Sequence, residues 1–124
     1  LTVSDEDIDY LHASLNNYRA TSMRDEEDER VVGKLLLDEI NGRKPLIGVG
    51  GIATKEDAQD ALNDVGYDLV ALGHAMITDP NWVSKVKNRE EIETAIDMDN
   101  LEEQHLPRRL AEKIKEVPGW FDFK

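Results

Sequence analysis

Two short apolar runs that each end in glycine constrain the fold of this chain more than any other feature. Leu46–Val49 leads into Gly50 and Gly51, and Leu69–Leu72 leads into Gly73-His74. Each run is short, aliphatic and bounded by turn residues, which predicts a buried parallel strand. The stretch between them has helical periodicity. The pattern therefore predicts a strand–helix–strand unit with glycine backbone at both strand exits.

An earlier strand and helix precede this unit. We expect a strand over Ile8–Ser14 and a helix over Asp25–Asn41. The helix would begin with acidic residues, which suit the positive end of the helix dipole, and Asn41-Gly42 would end it. Its predicted apolar stripe consists of Val32, Leu35, Leu36 and Ile40.

The later helices are indicated by residues typical of helix ends. In the helix between the two runs, Thr54–Val65, Thr54 is the predicted N-cap, and Asp57 completes a weak capping box. Another helix is expected to begin at Pro80 with Asp79 as its cap. A terminal helix over Pro107–Val117 has a predicted stripe of Leu110, Ile114 and Val117.

Strands that alternate with helices imply a parallel sheet and an α/β fold. Three strands are too few to close a barrel, so the chain is either part of an eight-stranded barrel or a small open sheet. The chain of 124 residues begins at Leu1 in the style of a mid-sequence segment. We therefore expect a piece of a longer protein, with exposed sheet edges that favour self-association.

Composition limits the classes of function. The chain carries 27 acidic and 15 basic residues, for a formal net charge of −12, and contains no cysteine. Such a charge disfavours nucleic acids and anionic membranes as partners. The lack of cysteine excludes disulfides, thiolate metal sites and thiol nucleophiles, and it fits a cytoplasmic protein. The three histidines have no zinc-ligand spacing, so no metal site is expected.

The glycine exits are the candidate ligand site. Gly50, Gly51 and Gly73 allow the backbone to approach a phosphate, as in the loops after the seventh and eighth strands of (β/α)8 barrels. A tight turn would also explain the Gly50-Gly51 pair. His74 is either a phosphate donor or an exposed histidine at a helix start, and Ser14 ends the first strand at the same sheet edge. No side chain stands out as a catalytic acid or base.

Several of these motifs together resemble the old yellow enzyme family of NADH:flavin oxidoreductases. The resemblance is carried by Val49-Gly50-Gly51-Ile52, by Asp68-Leu69-Val70-Ala71-Leu72-Gly73, by Asp79-Pro80-Asn81-Trp82 and by the tail Pro118-Gly119-Trp120-Phe121. It covers nearly the whole chain. It implies the C-terminal portion of a TIM (β/α)8 barrel, with Ile8–Ser14, Leu46–Gly50 and Leu69–Gly73 as its sixth, seventh and eighth strands.

The resemblance also implies a cofactor and a reaction. The family holds the FMN phosphate with the glycine loop after the seventh strand, here Gly50-Gly51, and with a Gly-Arg pair after the eighth, here Gly73-His74. Histidine thus replaces an always-charged, forked arginine. The expected reaction passes a hydride from NADH or NADPH through FMN to a small-molecule acceptor such as an electron-poor alkene.

The resemblance implies that the family's substrate-binding pair, His/Asn or His/His, and its tyrosine proton donor lie on earlier strands, which this chain does not contain. We therefore expect the 124-residue chain alone to be inactive. Two alternatives remain open at this stage. One is a barrel enzyme acting on a sugar phosphate, and the other is a non-catalytic α/β module that binds a phosphate ligand or a protein partner.

Overall fold

The computed structural model describes residues 3–124. The predicted segment 1–124 also includes Leu1 and Thr2, which lie outside the described residues. The chain forms two compact units, the first ending at Leu72 and the second beginning at Gly73. The first unit is built on a sheet, and the second is mainly helical.

The sheet of the first unit has three parallel strands in the order β1-β2-β3. The strands are β1 (Leu11–Ser14), β2 (Leu46–Val49) and β3 (Leu69–Ala71). Ser14 pairs with Val49, and Val49 pairs with Ala71, so the three strands end level with one another. The α/β architecture with a parallel sheet is confirmed. The first strand begins three residues later than the predicted Ile8.

The expectation that both apolar runs are buried holds for β2 and is wrong for β3. Leu46 is buried in the core, whereas Leu69 exposes 55% of its surface. In the part of the chain that the structure describes, β3 has a neighbouring strand on one side only. A parallel strand becomes fully buried only when both of its faces are covered, and the described residues leave Leu69 uncovered.

The first long helix, α1, spans Val32–Ile40, so the predicted start at Asp25 is wrong. The acidic segment 25–29 forms turns before the helix. Asp25 accepts a hydrogen bond from the amide of Glu27 at 3.1 Å, and Asp28 accepts from the amide of Arg30 at 3.1 Å as well as from its guanidinium. Side chains that bond to nearby backbone in this way stabilise turns in competition with a helix.

The buried face of α1 also differs from the predicted stripe, because a tyrosine packs against a glycine on it. Gly33 and Ile40 are buried, whereas Leu36 is exposed. A Cβ atom on Gly33 would lie 2.2 Å from the hydroxyl oxygen of Tyr67. The same tyrosine ring lies over Gly48 of β2, where a Cβ would come within 2.6 Å of it. Tyr67 thus joins the helix to the sheet.

The second helix of the first unit, α2, spans Lys55–Asp60 and continues as a π-helical turn over Ala61–Val65. The predicted capping box is confirmed, because Thr54 accepts from the amide of Asp57 while Asp57 accepts from the amide of Thr54. Gly66, at a φ of 101°, ends the helix as predicted. The chain then returns directly into β3.

The second unit contains α3 (His74–Thr78), α4 (Trp82–Asn88) and α5 (Arg108–Lys115). Its core consists of Ile96, Leu101, Leu106, Ala111 and Ile114. The predicted stripe of the terminal helix is right for Ile114 and wrong for Leu110 and Val117, which are both about half exposed. Ala111 takes their place because it falls on the same face as Ile114.

Candidate functional site

The turn after β2 brings the backbone of Gly50 close to the segment that follows β1. Gly50 has a φ of 138°, and a Cβ atom there would lie 2.2 Å from the carbonyl oxygen of Leu15. The amide of Tyr18 donates to the carbonyl oxygen of Gly50 at 2.8 Å. Glycine at this position is therefore required by packing within the unit, independently of any ligand.

Gly51 is less constrained by its neighbours and more open to solvent. Its φ is 64°, in the left-handed region, and the residue is exposed. A Cβ atom there would meet the side-chain amide of Asn17 at 3.1 Å, which is close but movable. Gly51 thus presents bare backbone at the surface of the turn.

Ser14 lies at the same edge of the sheet as this turn. It is the last residue of β1, it is exposed, and it pairs with Val49, the residue before Gly50. The structure therefore brings three of the five predicted site residues, Ser14, Gly50 and Gly51, to one edge of the first unit. They present a hydroxyl group and glycine backbone there.

The other two predicted site residues open the second unit. Gly73 follows β3 by two residues, is exposed, and would meet no atom within 4 Å if it carried a Cβ. His74 is the first residue of α3, and its side chain is exposed. Its imidazole makes edge-to-face contacts with Phe121, at 4.4 Å between centroids, and with Trp120, at 6.2 Å.

The amides at the start of α2 are already bonded within the protein. The carboxylate of Asp57 accepts from the amide of Ala53 at 3.1 Å and from that of Thr54 at 2.8 Å. Burial acts to raise the pKa of Asp57, but these hydrogen bonds outweigh it, so the pKa lies below its usual range. The amides of Ala53 and Thr54 are therefore already engaged by a carboxylate of the protein.

Sequence reasoning missed an ionic cluster that ties the segment after β1 to α2. The guanidinium of Arg19 binds both carboxylate oxygens of Asp60, at 2.5 and 2.6 Å, and also contacts Asp64. Hydrogen bonds from Arg19 lower the pKa of both carboxyl groups. Tyr18 donates to Asp60 as well, at 3.0 Å. The positive charge of Arg19 is thus neutralised by carboxylates at its own site, and no pattern in the sequence marks this pairing.

A comparison with known families decides the class of this chain. A sequence model described as the NADH:flavin oxidoreductase / NADH oxidase family matches residues 3–93. The chain belongs to this family. The resemblance seen in the motifs is confirmed.

Relatives of this chain are similar to it over most of its length. The chain is 36% identical over 124 residues to a probable NADH-dependent flavin oxidoreductase of Bacillus subtilis. This match covers 98% of the chain and 33% of the relative. It is 35% identical to an NADH:acrylate oxidoreductase of Vibrio harveyi, covering 85% of the chain and 11% of the relative. It is 36% identical to an NADH:fumarate oxidoreductase of Klebsiella pneumoniae, and this match covers 83% of the chain and 11% of the relative. The chain thus spans a third or less of these relatives.

The Asp-Pro-Asn-Trp segment of this family member has a structural role in the second unit. Asp79 is buried, and its carboxylate accepts from Lys85 at 2.7 Å, from the amide of Glu93 at 2.9 Å and from the amide of Asn81 at 3.0 Å. The predicted helix start at Pro80 is wrong, because α4 begins at Trp82 with Asn81 as its N-cap. Asp79 instead joins the end of α3 to α4 and to the segment beyond it.

No helix within residues 3–124 is both long and apolar enough to cross a membrane. Across the same residues, no group of three or more histidine or carboxylate side chains converges in the way that a metal ion requires.

Proposed function

We propose that this chain is the C-terminal part of an FMN-dependent NAD(P)H oxidoreductase and that its strand exits bind the FMN phosphate. The observation that carries the proposal is the pair of adjacent parallel strands, β2 and β3, that end level and each run into glycine within two residues. Membership of the NADH:flavin oxidoreductase family supplies the ligand class.

We propose further that β1, β2 and β3 are the sixth, seventh and eighth strands of a (β/α)8 barrel. All three are parallel and lie in chain order, as consecutive barrel strands do. The chain spans 33% of the length of its Bacillus subtilis relative, which is close to the share expected for three of eight strand–helix repeats. The remaining strands would come from the rest of the protein.

The residues present fit a phosphate monoester. Gly51 and Gly73 present exposed backbone, and a side chain on Gly73 would enter open space, so a ligand oxygen can approach the main chain there. Ser14 offers a hydroxyl donor at the edge of β1, and His74 offers ring N–H donors. Backbone and imidazole donors suit an acidic protein, whose net charge alone would repel a phosphate.

FMN, when bound, supplies the hydride-transfer chemistry between a nicotinamide and an acceptor. In this proposal the residues of the chain hold the phosphate end of the cofactor and thereby set its position. None of them is assigned to proton transfer or to the flavin ring. We accordingly propose that the 124-residue chain by itself has no reductase activity.

The names of the relatives support the choice of reductant and of acceptor class. All three names specify NADH, and two of them specify acrylate or fumarate, which are electron-poor alkenes. We propose NADH as the reductant and an activated alkene as the acceptor of the protein that contains this chain.

The test is the absorption spectrum of the protein that contains this chain, purified without added flavin. We expect flavin bands near the blue end of the visible spectrum, bleaching of these bands by NADH under anaerobic conditions, and release of FMN on heat denaturation, identified by mass. A colourless protein that does not take up added FMN would contradict the proposal, as would release of FAD.

A further inference from the structure

Three aromatic rings in the second unit connect the C-terminal tail to His74. The imidazole of His74 lies edge-to-face with Phe121 at 4.4 Å and with Trp120 at 6.2 Å, with interplanar angles of 77° and 83°. Trp120 and Phe121 are also edge-to-face, at 5.4 Å. Each ring therefore contacts both of the others, in the geometry that aromatic pairs prefer.

The tail that carries two of these rings is anchored to Ile96 by two backbone hydrogen bonds. The amide of Ile96 donates to the carbonyl oxygen of Asp122 at 2.8 Å, and the amide of Lys124 donates to the carbonyl oxygen of Ile96 at 2.9 Å. Ile96 is fully buried, and Phe121 packs against the same core. Phe121 thus contacts both the buried core of the second unit and the imidazole.

An exposed histidine at the start of a short helix would otherwise sample several rotamers, and fixing one of them would reduce its affinity for a ligand. The contact with Phe121 limits this freedom before any ligand binds. We propose that Phe121, assisted by Trp120, is a positioning residue that holds the His74 imidazole for hydrogen bonding to the phosphate of FMN. This inference rests on the proposed function, because it assigns a supporting residue to the same phosphate contact.

The experiment compares two ligands that differ only in the phosphate. Binding of FMN and of riboflavin to the apoprotein that contains this chain is measured by calorimetry, and the ratio of their affinities isolates the phosphate contribution. His74→Ala is expected to lower this ratio about tenfold. Phe121→Leu, which keeps apolar volume but removes the ring, is expected to lower it about fivefold.

A double variant separates positioning from general stability. In the His74→Ala background, Phe121→Leu is expected to leave the ratio unchanged, because the group that it positions is absent. Phe121→Tyr is expected to restore the parent ratio. Phe123→Leu is the matched control, since Phe123 lies in the same tail, is also partly buried and packs on the same core; it should leave the ratio unchanged.

Three outcomes would overturn the inference while leaving the proposed function intact. They are an unchanged ratio in Phe121→Leu, an unchanged ratio in His74→Ala, and an equal loss from Phe121→Leu with and without His74. Equal affinities of the parent protein for FMN and riboflavin would instead overturn the proposed function itself. Should Phe121→Leu fail to fold, Trp120→Leu takes its place, because Trp120 is 48% exposed; a twofold loss supports the inference and no loss overturns it.

Discussion

Gly50 and Gly73 both follow strands, yet they differ in what a side chain would meet. Gly50 is in a left-handed conformation with the Leu15 carbonyl oxygen against it, whereas Gly73 faces open space at a φ of −107°. We predict that Gly50→Ala lowers the free energy of unfolding by about 3 kcal/mol. The new methyl group would clash with the backbone of Leu15, which cannot move aside as a flexible side chain can. Urea denaturation measures the change.

Two matched variants control for this prediction. Gly42→Ala keeps the positive φ but meets no atom within 4 Å, so it should cost only about 1 kcal/mol. Gly73→Ala has neither a positive φ nor a close contact and should change stability by less than about 0.5 kcal/mol. Equal costs for Gly50→Ala and Gly42→Ala would show that the close approach to Leu15 does not constrain the turn.

At the scale of elements, the buried carboxylate of Asp79 connects α3, α4 and the segment at Glu93. Burial acts to raise its pKa, but hydrogen bonds from Lys85 and from two amides outweigh it, so the pKa lies below the ordinary value of 3.8. A carboxyl group with a lowered native pKa stabilises the fold above its unfolded pKa, and this contribution is lost as pH falls through the native pKa.

We predict that Asp79→Asn removes about 2 kcal/mol of stability at neutral pH, because it breaks a charged hydrogen-bond network. Hydrogen exchange of the Glu93 amide should become about 30-fold faster. The difference between parent and variant should shrink below about pH 4. Asp99→Asn, on an exposed carboxylate, is the control. A difference that stays constant from pH 7 to pH 3 would exclude ionisation of Asp79 as its cause.

The elements also show which features the sequence alone predicts. The Thr54–Asp57 capping box, the stop at Gly66 and the parallel pairing of the glycine-ended strands rest on local signals, and the structure confirms them. The start of α1 was not predictable from its acidic run, because Asp28 pairs with Arg30 instead, which lowers its pKa to about 2.

Contacts between residues distant in sequence account for the features that the sequence analysis predicted wrongly or did not predict. The buried face of α1 is set by Tyr67, 34 positions after Gly33, and by the absence of a side chain on that glycine. The ionic cluster joins Arg19 to Asp60, 41 residues apart. The proposed site residues follow strand exits, which local patterns indicate. The contacts that support these residues depend on packing that no local pattern encodes.

At the scale of the whole molecule, the sheet edges of the first unit lead to a prediction about the isolated chain. In the described residues, β1 and β3 each have a neighbour on one side only, and Leu69 is half exposed on β3. We predict that the isolated 124-residue chain self-associates with increasing concentration, because unpaired edges and apolar surface favour pairing with another copy. Sedimentation velocity measures the association.

A charged variant tests where this association occurs. Leu69→Lys places a charge on the β3 edge and should weaken self-association about tenfold. Val83→Lys is the control, because Val83 is equally exposed, at 58%, but lies on a helix rather than on a strand. A chain that stays monomeric at every concentration, or that responds equally to both variants, would contradict the role of the sheet edge.

The central claim is that the glycine strand exits bind the phosphate of FMN, and one comparison tests it most directly. The affinities of the apoprotein for FMN and for riboflavin are measured in the parent, in Gly73→Asp and in the control Gly42→Asp. We predict a parent ratio of about 100 or more, a loss of at least about tenfold in Gly73→Asp from repulsion between carboxylate and phosphate, and no change in Gly42→Asp. A parent ratio near one, or equal ratios in the parent and Gly73→Asp, would contradict it.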